Sequence, residues 1–358
     1  MTGLDLTPRD GFHVPSITVG QAEDSLVFLV GPSLLSKGTD DLSEMAGYYE
    51  TLALFSDFAG SEDVVRHCKE LASDGSGRVV LIGTLPAHGT DGVAEQAFDV
   101  ANLPMELIAT NPILVGIEDT ALVAVVAVAT HPEVFAGALA INPKPEACGA
   151  IHELVERMSA PAEVIASDTR GSSFLCGPDV VSDSASRLRA STSGPPGTVL
   201  RTVLFTDIVD STRRAAAIGD REWAALLHEH HRLATQAVGR FGGRVVDTAG
   251  DGMLSIFERP ALGLRCGLHL TGDVASTLAL QIRAGAHAGV VELDEDGVSG
   301  IAVHFAARVQ AAAAPGTVWT SGSLLPLVGC RGYSLLDRGE HVLKGIDGTP
   351  RLFEVSPT

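Results

Sequence analysis

The strongest constraint on the fold comes from two β-rich stretches in the second half of the chain, Thr202–Thr212 and Arg244–Phe257. The second stretch contains two short apolar runs joined by Ala249–Gly252, which reads Ala-Gly-Asp-Gly. A strand, a turn rich in glycine and aspartate, and another strand predict a β-hairpin. If the first stretch pairs with this hairpin, Asp207 and Asp251 lie together at one end of a sheet.

A pairing of Asp207 with Asp251 would create a site for a cation. Two carboxylates held close together repel each other unless a cation lies between them or one of them is protonated. Their hard oxygen atoms suit Mg²⁺ or Mn²⁺, and a carboxylate pair that holds such ions is typical of phosphoryl transfer. Each motif alone has a simpler interpretation, because Asp-Gly is common in turns and Asp210 precedes a helix as an N-cap residue would.

Four motifs taken together resemble the class III nucleotidyl cyclase catalytic domain. They are FTDIVDST at Phe205–Thr212, GGRVVDTAGDG at Gly242–Gly252, GIAVHFAARV at Gly300–Val309 and RGEHVLKGIDG at Arg338–Gly348. The motifs occur in the family's order and span about Leu200–Val355. The periodicity of this segment predicts two βαβ-like halves and a hairpin, an α+β sandwich of ferredoxin-like type, which is also what the resemblance implies.

The resemblance assigns metal ligands and a reaction. Asp207, Asp251 and the backbone carbonyl of Ile208 would hold two Mg²⁺ or Mn²⁺ ions. The ribose 3′-hydroxyl of ATP would attack the α-phosphorus, and pyrophosphate would leave. In these cyclases one catalytic domain supplies the metal carboxylates and the other supplies a helix arginine, so the resemblance implies a head-to-tail homodimer with two sites.

Three basic residues match positions that contact the nucleotide in this family. Arg308 would stabilise charge on the transferring phosphate, and Lys344 would bind the terminal phosphates. His304 takes a position that is asparagine in many members and histidine in some bacterial relatives, where it would contact ribose or phosphate. From the helix alone, His304 and Arg308 lie four residues apart and would equally fit a solvated basic face.

The positions that select the base depart from the adenine pattern. Adenine-selective members usually carry lysine at the position of Asp247 and aspartate or threonine at the position of Gly297. An ionised Asp247 would instead accept hydrogen bonds from guanine N1–H and its amino group, and Gly297 offers only backbone groups. Three interpretations therefore stay open: an adenylate cyclase of relaxed selectivity, a guanylate cyclase, and a nucleotide-binding signalling module without activity.

The first half of the chain predicts an α/β domain with a parallel sheet covered on both faces, because short apolar runs alternate with helical segments. The predicted strands are Leu26–Val30, Arg78–Gly83, Pro112–Gly116, Ala136–Ile141 and Glu163–Ala166. The predicted helices between them include Leu42–Phe55 and Asp63–Ala72.

The segment Leu114–Pro143 resembles the central part of an α/β-hydrolase domain, where a sharp turn after a strand carries the nucleophilic serine. Here Gly116–Thr120 forms the motif, and Glu118 takes the serine position. A triad also needs a late histidine, and the sequence has none between His152 and His228. These features predict a shortened hydrolase-like domain without hydrolase activity; alternatively, Glu118 is a capping or solvated residue at a helix start.

A stretch rich in serine, glycine and proline separates the two halves of the chain. We therefore predict a degenerate α/β-hydrolase-like domain at residues 1–182, a linker at 183–198 and a cyclase domain at 199–358. Such a composition buries little surface and favours an extended tether.

Composition limits the partners and the location that we expect. The net charge of −19 and the pI near 4.9 argue against nucleic acid or an anionic membrane surface as partner. The five cysteines are scattered and form no CxxC pair, which favours a reducing compartment. The N-terminus lacks an apolar signal core. We therefore expect a cytoplasmic protein with a nucleoside triphosphate, ATP or GTP, as its ligand.

Overall fold

A computed structural model describes the chain over residues 16–19, 25–30, 78–83, 92–101, 112–166, 178–191, 198–294, 297–328 and 333–357. The chain divides into two compact units. The first comprises Met1–Gly89 with Gln96–Pro196, and the second comprises Thr90–Glu95 with Gly197–Thr358. Within the described ranges, no helix has the length and apolar character needed to cross a membrane.

The first unit is built on a six-stranded sheet. Its strands are β1 (Ser16–Val19), β2 (Ser25–Val30), β3 (Arg78–Gly83), β4 (Ile113–Ile117), β5 (Gly137–Ile141) and β6 (Ala162–Ile165). Their order is β1-β3-β2-β4-β5-β6, and every pair except β1–β3 is parallel. The predicted parallel sheet is therefore confirmed for five strands. The antiparallel edge strand β1 was missed because its four residues give too short a pattern.

Four helices accompany this part of the chain: α1 (Val93–Ala101), which spans the division between the units, α2 (Ala121–Thr130), α3 (Pro145–Arg157) and α4 (Pro178–Ala190). Every residue of α2 is buried, and α2 packs against β4 and β5. A helix made of alanine, valine and leucine on all sides is expected to be buried completely. The predicted helices at 42–55 and 63–72 lie outside the described residues.

The sharp turn expected at Glu118 is present between β4 and α2. Glu118 has a φ of 51°, in the left-handed region that side chains other than glycine rarely adopt. The chain comes so close to itself here that a β-carbon at Gly116 would lie 2.3 Å from the Thr120 carbonyl oxygen. The Thr120 hydroxyl also accepts a hydrogen bond from the Ile117 N–H at 2.9 Å. The hydrolase-like character and the inactivity of this unit stay predictions.

The predicted linker at 183–198 differs from the structure in its first half, which continues helix α4 to Ala190. The apolar side chains of one face of this helix are buried: Val181, Ala185 and Leu188. Ser184 Oγ and Arg187 Nη2 donate hydrogen bonds to Glu163 Oε1 on β6, at 3.1 and 2.6 Å. The serine-rich composition led to the prediction of a linker, although three apolar residues recur at helical spacing in this segment. Their side chains pack into the first unit.

The second unit contains an eight-stranded sheet. Its strands are β7 (Thr198–Ile208), β8 (Gly243–Ala249), β9 (Gly252–Phe257), β10 (Ile282–Leu293), β11 (Val298–Ser299), β12 (Val318–Ser321), β13 (Tyr333–Glu340) and β14 (Arg351–Pro357). The order is β13-β14-β12-β10-β7-β9-β8, and β11 pairs with β10. The β8–β9 hairpin and its pairing with β7 confirm the expectation from the two β-rich stretches.

Helical connections make two crossovers in this sheet. The helices are α5 (Ser211–Ile218), α6 (Asp220–Arg240), α7 (Pro260–His269), α8 (Ala275–Thr277) and α9 (Ile301–Ala312), with a π-helical turn at Leu270–Val274 between α7 and α8. From β10, α9 returns the chain to the parallel strand β12. From β7, α5 and α6 lead to β8, which runs parallel to β7 with β9 between them. These two βαβ-like halves confirm the predicted α+β class.

Opposite faces of β7 contact different helices, because successive side chains of a strand alternate between faces. On one face, Val203 packs with Ala302 and Ala306 of α9. On the other face, α7 comes close at Gly267, where an added β-carbon would lie 3.4 Å from Leu204 Cδ1. By this alternation, Asp207 points to the same face of β7 as Val203, and Thr206 points to the same face as Leu204.

The predicted core stripe of α9 was wrong at one position. Its members were Ile301, Phe305 and Val309. Val309 is buried and Phe305 is half-buried, but Ile301 is 49% exposed. The face that meets the sheet carries alanine instead, which lets the helix backbone approach β10 so closely that a β-carbon at Gly285 would lie 2.0 Å from Gln310 N. Ile301, the first residue of the helix, lies outside this contact.

Candidate functional site

The two predicted metal ligands come together at one end of the sheet in the second unit. Asp207 is the penultimate residue of β7, and Asp251 lies in the turn between β8 and β9. In the register of β7 with β9, Thr206 stands opposite Met253, which brings the end of β7 beside this turn. The hairpin and its pairing with β7 therefore make the carboxylate pair.

The environment of the two carboxylates disfavours two uncompensated negative charges. Burial raises the pKa of Asp207, the charge of Asp251 raises it further, and the Arg283 guanidinium opposes both effects. Asp251 Oδ2 is buried and has no hydrogen-bond partner among the residues that the structure describes. A buried carboxylate oxygen without a partner is costly, and a bound cation would remove that cost.

A basic residue that the sequence analysis missed, Arg283, forms an ion pair with Asp207. The two residues stand opposite each other on β10 and β7. Arg283 Nη2 and Nε both donate to Asp207 Oδ2, at 2.7 and 3.1 Å. The sequence contains one signal for it, a charged side chain inside a strand made largely of alanine, glycine and valine. The strand pairing was needed to show which carboxylate it meets.

The carboxylate pair fits a divalent cation with few protein ligands. Ile208 ends β7, and its side chain is buried, so only its backbone could serve as the predicted third ligand. Within the described ranges, no group of three or more His, Cys, Asp or Glu side chains could hold a metal. Mg²⁺ is commonly held by one or two carboxylates together with substrate phosphates and water. Two aspartates are sufficient for a site of that kind.

The predicted phosphate ligands lie on helix α9 and in the segment after β13, and a hydrogen bond joins the two. Arg308 and His304 are both exposed, one turn apart on α9. Arg308 Nε donates a hydrogen bond to the backbone carbonyl of Lys344 at 3.0 Å, and the side chain of Lys344 is exposed. Among the described residues, no hydrogen bond or ion pair joins these three basic residues to Asp207 or Asp251.

The two predicted base-reading positions are neighbours. Asp247 is exposed on β8, directly after a bulge at Val246. Gly297 lies in the turn between β10 and β11, where a β-carbon would be 3.9 Å from Val246 Cγ1. The Gly297 N–H already donates to Asp294 Oδ1 at 2.7 Å. Asp247 therefore offers the only charged group of this predicted pair.

Asp210, which the sequence suggested as an N-cap residue, stands before α5 but forms no capping hydrogen bond. Its φ of 56° is left-handed, and its exposed carboxylate pairs with Arg213. Asp210 therefore occupies the N-cap position of α5, but its side chain pairs with Arg213 and does not bond a backbone N–H of the helix.

Helix α6 carries a buried histidine, His230, whose pKa the charge of Asp251 influences. It is 0% exposed, and neither ring nitrogen has a hydrogen-bond partner among the described residues. Burial lowers the pKa of His230 from 6.5 to about 4; the neighbouring His231 acts in the same direction and the charge of Asp251 opposes it. The ring is therefore neutral at pH 7.

This lowered pKa predicts a pH-dependent stability. The unfolded chain binds a proton at His230 below pH 6.5, whereas the folded chain binds it only near pH 4. The corresponding stability is present above pH 6.5 and is lost as the pH falls towards 4, by at most about 3 kcal/mol. Urea unfolding at pH 7 and pH 4.5 should show a smaller loss for His230→Phe than for the parent. His228→Gln, an exposed site on the same helix, is the control and should lose as much stability as the parent.

Comparison with known proteins relates part of this chain to bacterial cyclases. No family model matches the chain. An uncharacterized protein of Mycobacterium tuberculosis is 30% identical over 152 residues, which cover 42% of this chain and 40% of that protein. A protein of Glutamicibacter nicotianae named adenylate cyclase is 31% identical over 128 residues, which cover 36% of this chain and 32% of that protein. The chain thus spans well under half the length of these relatives.

Solved cyclase structures also show similarity to the chain. The adenylyl cyclase CyaB of P. aeruginosa is 17% identical, with a TM-score of 0.42, over 45% of this chain and 95% of that chain. The guanylate cyclase domain of RhGC from Catenaria anguillulae, in complex with GTP, is 19% identical, with a TM-score of 0.40, over 44% of this chain and 96% of that chain.

Proposed function

We propose that the second unit is a nucleotidyl cyclase domain that converts ATP to cyclic AMP and pyrophosphate. The observation that carries this proposal is the pair Asp207 and Asp251, held together by the β7–β9 register with a buried, unpartnered oxygen on Asp251. The sequence similarity to an adenylate cyclase of Glutamicibacter nicotianae supports it. The spacing of the basic residues on α9 supports it further.

Different residues of this unit would bind the metal ions and the phosphates. Asp207 and Asp251, with the Ile208 carbonyl, would hold Mg²⁺ or Mn²⁺, and the bound ions would make the ribose 3′-hydroxyl more acidic and neutralise the phosphates. Arg308 donates hydrogen bonds to the transferring phosphate as negative charge develops there. Lys344 supplies a point charge to the terminal phosphates.

The hydrogen bonds of the acidic and basic groups within one copy support a site shared between two copies. The Arg308 guanidinium donates to the Lys344 carbonyl, and Asp207 accepts from Arg283, so among the described residues no hydrogen bond joins Arg308 to the carboxylate pair. In a head-to-tail homodimer, the carboxylates of one copy would meet Arg308, His304 and Lys344 of the second. Two equivalent sites would result from the twofold axis.

The direct test is cyclic-nucleotide production by the purified full-length protein with Mn²⁺, using ATP and GTP separately. Cyclic AMP from ATP is the expected product. Folded, dimeric protein that binds nucleotide but forms neither product would overturn the cyclase proposal in favour of a signalling module without activity.

A guanylate cyclase is the second candidate, and Asp247 favours it. This exposed side chain beside Gly297 can accept hydrogen bonds from guanine, and a carboxylate offers no donor to adenine N1. Cyclic GMP as the product would identify Asp247 as the group that reads the base.

Asp247→Lys should raise the ratio of kcat/KM for ATP over GTP by about 10-fold or more. Lysine donates to adenine N1 and removes an acceptor for guanine, and a lost polar partner in a substrate site carries large selectivity. The ratio is measured with both nucleotides under identical conditions. Asp220→Lys, at the exposed start of α6, is the matched control for added charge. An unchanged ratio in Asp247→Lys would mean that other residues select the base.

A further inference from the structure

Four buried polar atoms without partners belong to strand β7, to the β8–β9 turn and to helix α6. Both ring nitrogens of His230, the hydroxyl of Thr206 and Oδ2 of Asp251 are buried, and none has a hydrogen-bond partner in the described part of the chain. Thr206 is 2% exposed, and His230 is 0% exposed. Buried polar groups are almost always hydrogen-bonded in folded proteins, to protein or to ordered water.

The strand register and the helix packing place the elements that carry these atoms side by side. Thr206 precedes Asp207 on β7 and points to the opposite face, the one that α7 covers at Leu204. Its partner across the sheet is Met253, two residues after Asp251. Helix α6, which carries His230, packs against α7 and β8. The negative charge of Asp251 acts to raise the pKa of the His230 ring, against the larger effect of burial.

We propose that one buried water joins His230 and Thr206 to the inner oxygen of Asp251, and that His230 thereby acts as a positioning residue for this carboxylate. A buried water typically makes about three hydrogen bonds, which is the number of groups available here. The ring N–H of His230 donates to the water, and the water donates to Asp251 Oδ2 and to the Thr206 hydroxyl.

This arrangement suits a carboxylate that binds a cation. Hydrogen bonds from neighbouring groups fix the orientation of metal ligands, and their removal typically lowers metal affinity about 10- to 100-fold. A neutral imidazole supplies such a bond without adding a positive charge that would repel the cation. Arg283 fixes the other carboxylate, Asp207, from the opposite face of β7. Each aspartate thus has a separate support.

The inference rests on the proposed metal site, and Mn²⁺ binding to the purified full-length protein tests both. The dissociation constant for Mn²⁺ alone is measured by electron paramagnetic resonance, without nucleotide and without turnover. His230→Phe, which keeps a ring but removes the donor, should weaken Mn²⁺ binding about 10-fold or more. His230→Asn or His230→Gln, which place an N–H near one ring nitrogen or the other, should restore most of the affinity in one case.

Two further variants separate the possible outcomes. Asp251→Asn should lose Mn²⁺ binding; parent affinity in that variant would overturn the metal site itself, and with it the proposed function. Loss in Asp251→Asn with parent affinity in His230→Phe would overturn only the role of His230. Equal loss in the Phe, Asn and Gln variants would assign His230 to packing rather than positioning. Thr206→Val is the test if His230→Phe does not fold. It removes one hydrogen bond to the proposed water with little change in shape, and it should weaken Mn²⁺ binding several-fold. Parent affinity in this variant would overturn the proposed water bridge.

Discussion

Asp207→Asn should reduce cyclic-nucleotide production to below about 1% of the parent rate. The substitution keeps the size of the side chain but removes the charge that would hold the cation, and loss of a single preorganised charge-stabilising group costs about 10²–10³ in rate. Burial and the charge of Asp251 raise the pKa of Asp207, and the amide oxygen of asparagine can still accept a hydrogen bond from Arg283. The variant should therefore keep its thermal stability in EDTA while it loses activity.

Asp210→Asn provides the matched control for this experiment. It is the same substitution three residues along the chain, at an exposed aspartate that pairs with Arg213 and tolerates asparagine in a left-handed backbone. It should retain the parent rate. Substantial turnover by folded Asp207→Asn protein, measured in Mn²⁺ with a product assay, would remove Asp207 from the proposed mechanism.

Two inactive variants should restore activity when they are mixed. Asp207→Asn damages the acidic half of the site and Arg308→Ala damages the basic half, so each homodimer lacks an intact site. A mixed dimer contains one site that combines the intact Asp207 of one copy with the intact Arg308 of the other. With free exchange, half of the dimers are mixed and half of their sites are intact, which predicts about a quarter of the parent activity.

The control mixture combines two variants from the same half of the site. Asp207→Asn mixed with Asp251→Asn leaves a defect in every site and should give no recovery. Differently tagged copies, recovered together, show that mixed dimers have formed. Absence of activity in such confirmed Asp207→Asn and Arg308→Ala dimers would show that one copy supplies both halves of the site.

The sequence alone determined the elements that depend on short-range pattern. The β8–β9 hairpin follows from Gly-Asp-Gly between apolar runs, and the parallel strands of the first unit follow from apolar runs separated by helical segments. The sequence placed Asp207 and Asp251 together on the condition that the two stretches pair, and the register of β7 with β9 meets that condition. The roles of His304, Arg308, Lys344, Asp247 and Gly297 came from the family resemblance and stay predictions.

Other features depend on contacts between residues far apart in the sequence, and only the tertiary structure decided them. Composition predicted a tether at residues 183–190, but these residues belong to helix α4, which buries Ala185 and Leu188 and hydrogen-bonds Glu163 on β6. Hydrophobicity predicted Ile301 in the core. The backbone of α9 approaches β10 closely at Gly285, and the helix face at this contact carries alanine side chains. Arg283 finds Asp207 only because β10 pairs with β7. His230 becomes a candidate support for Asp251 only because α6 carries it over the same sheet end, where both side chains have buried polar atoms without a protein partner in the described residues.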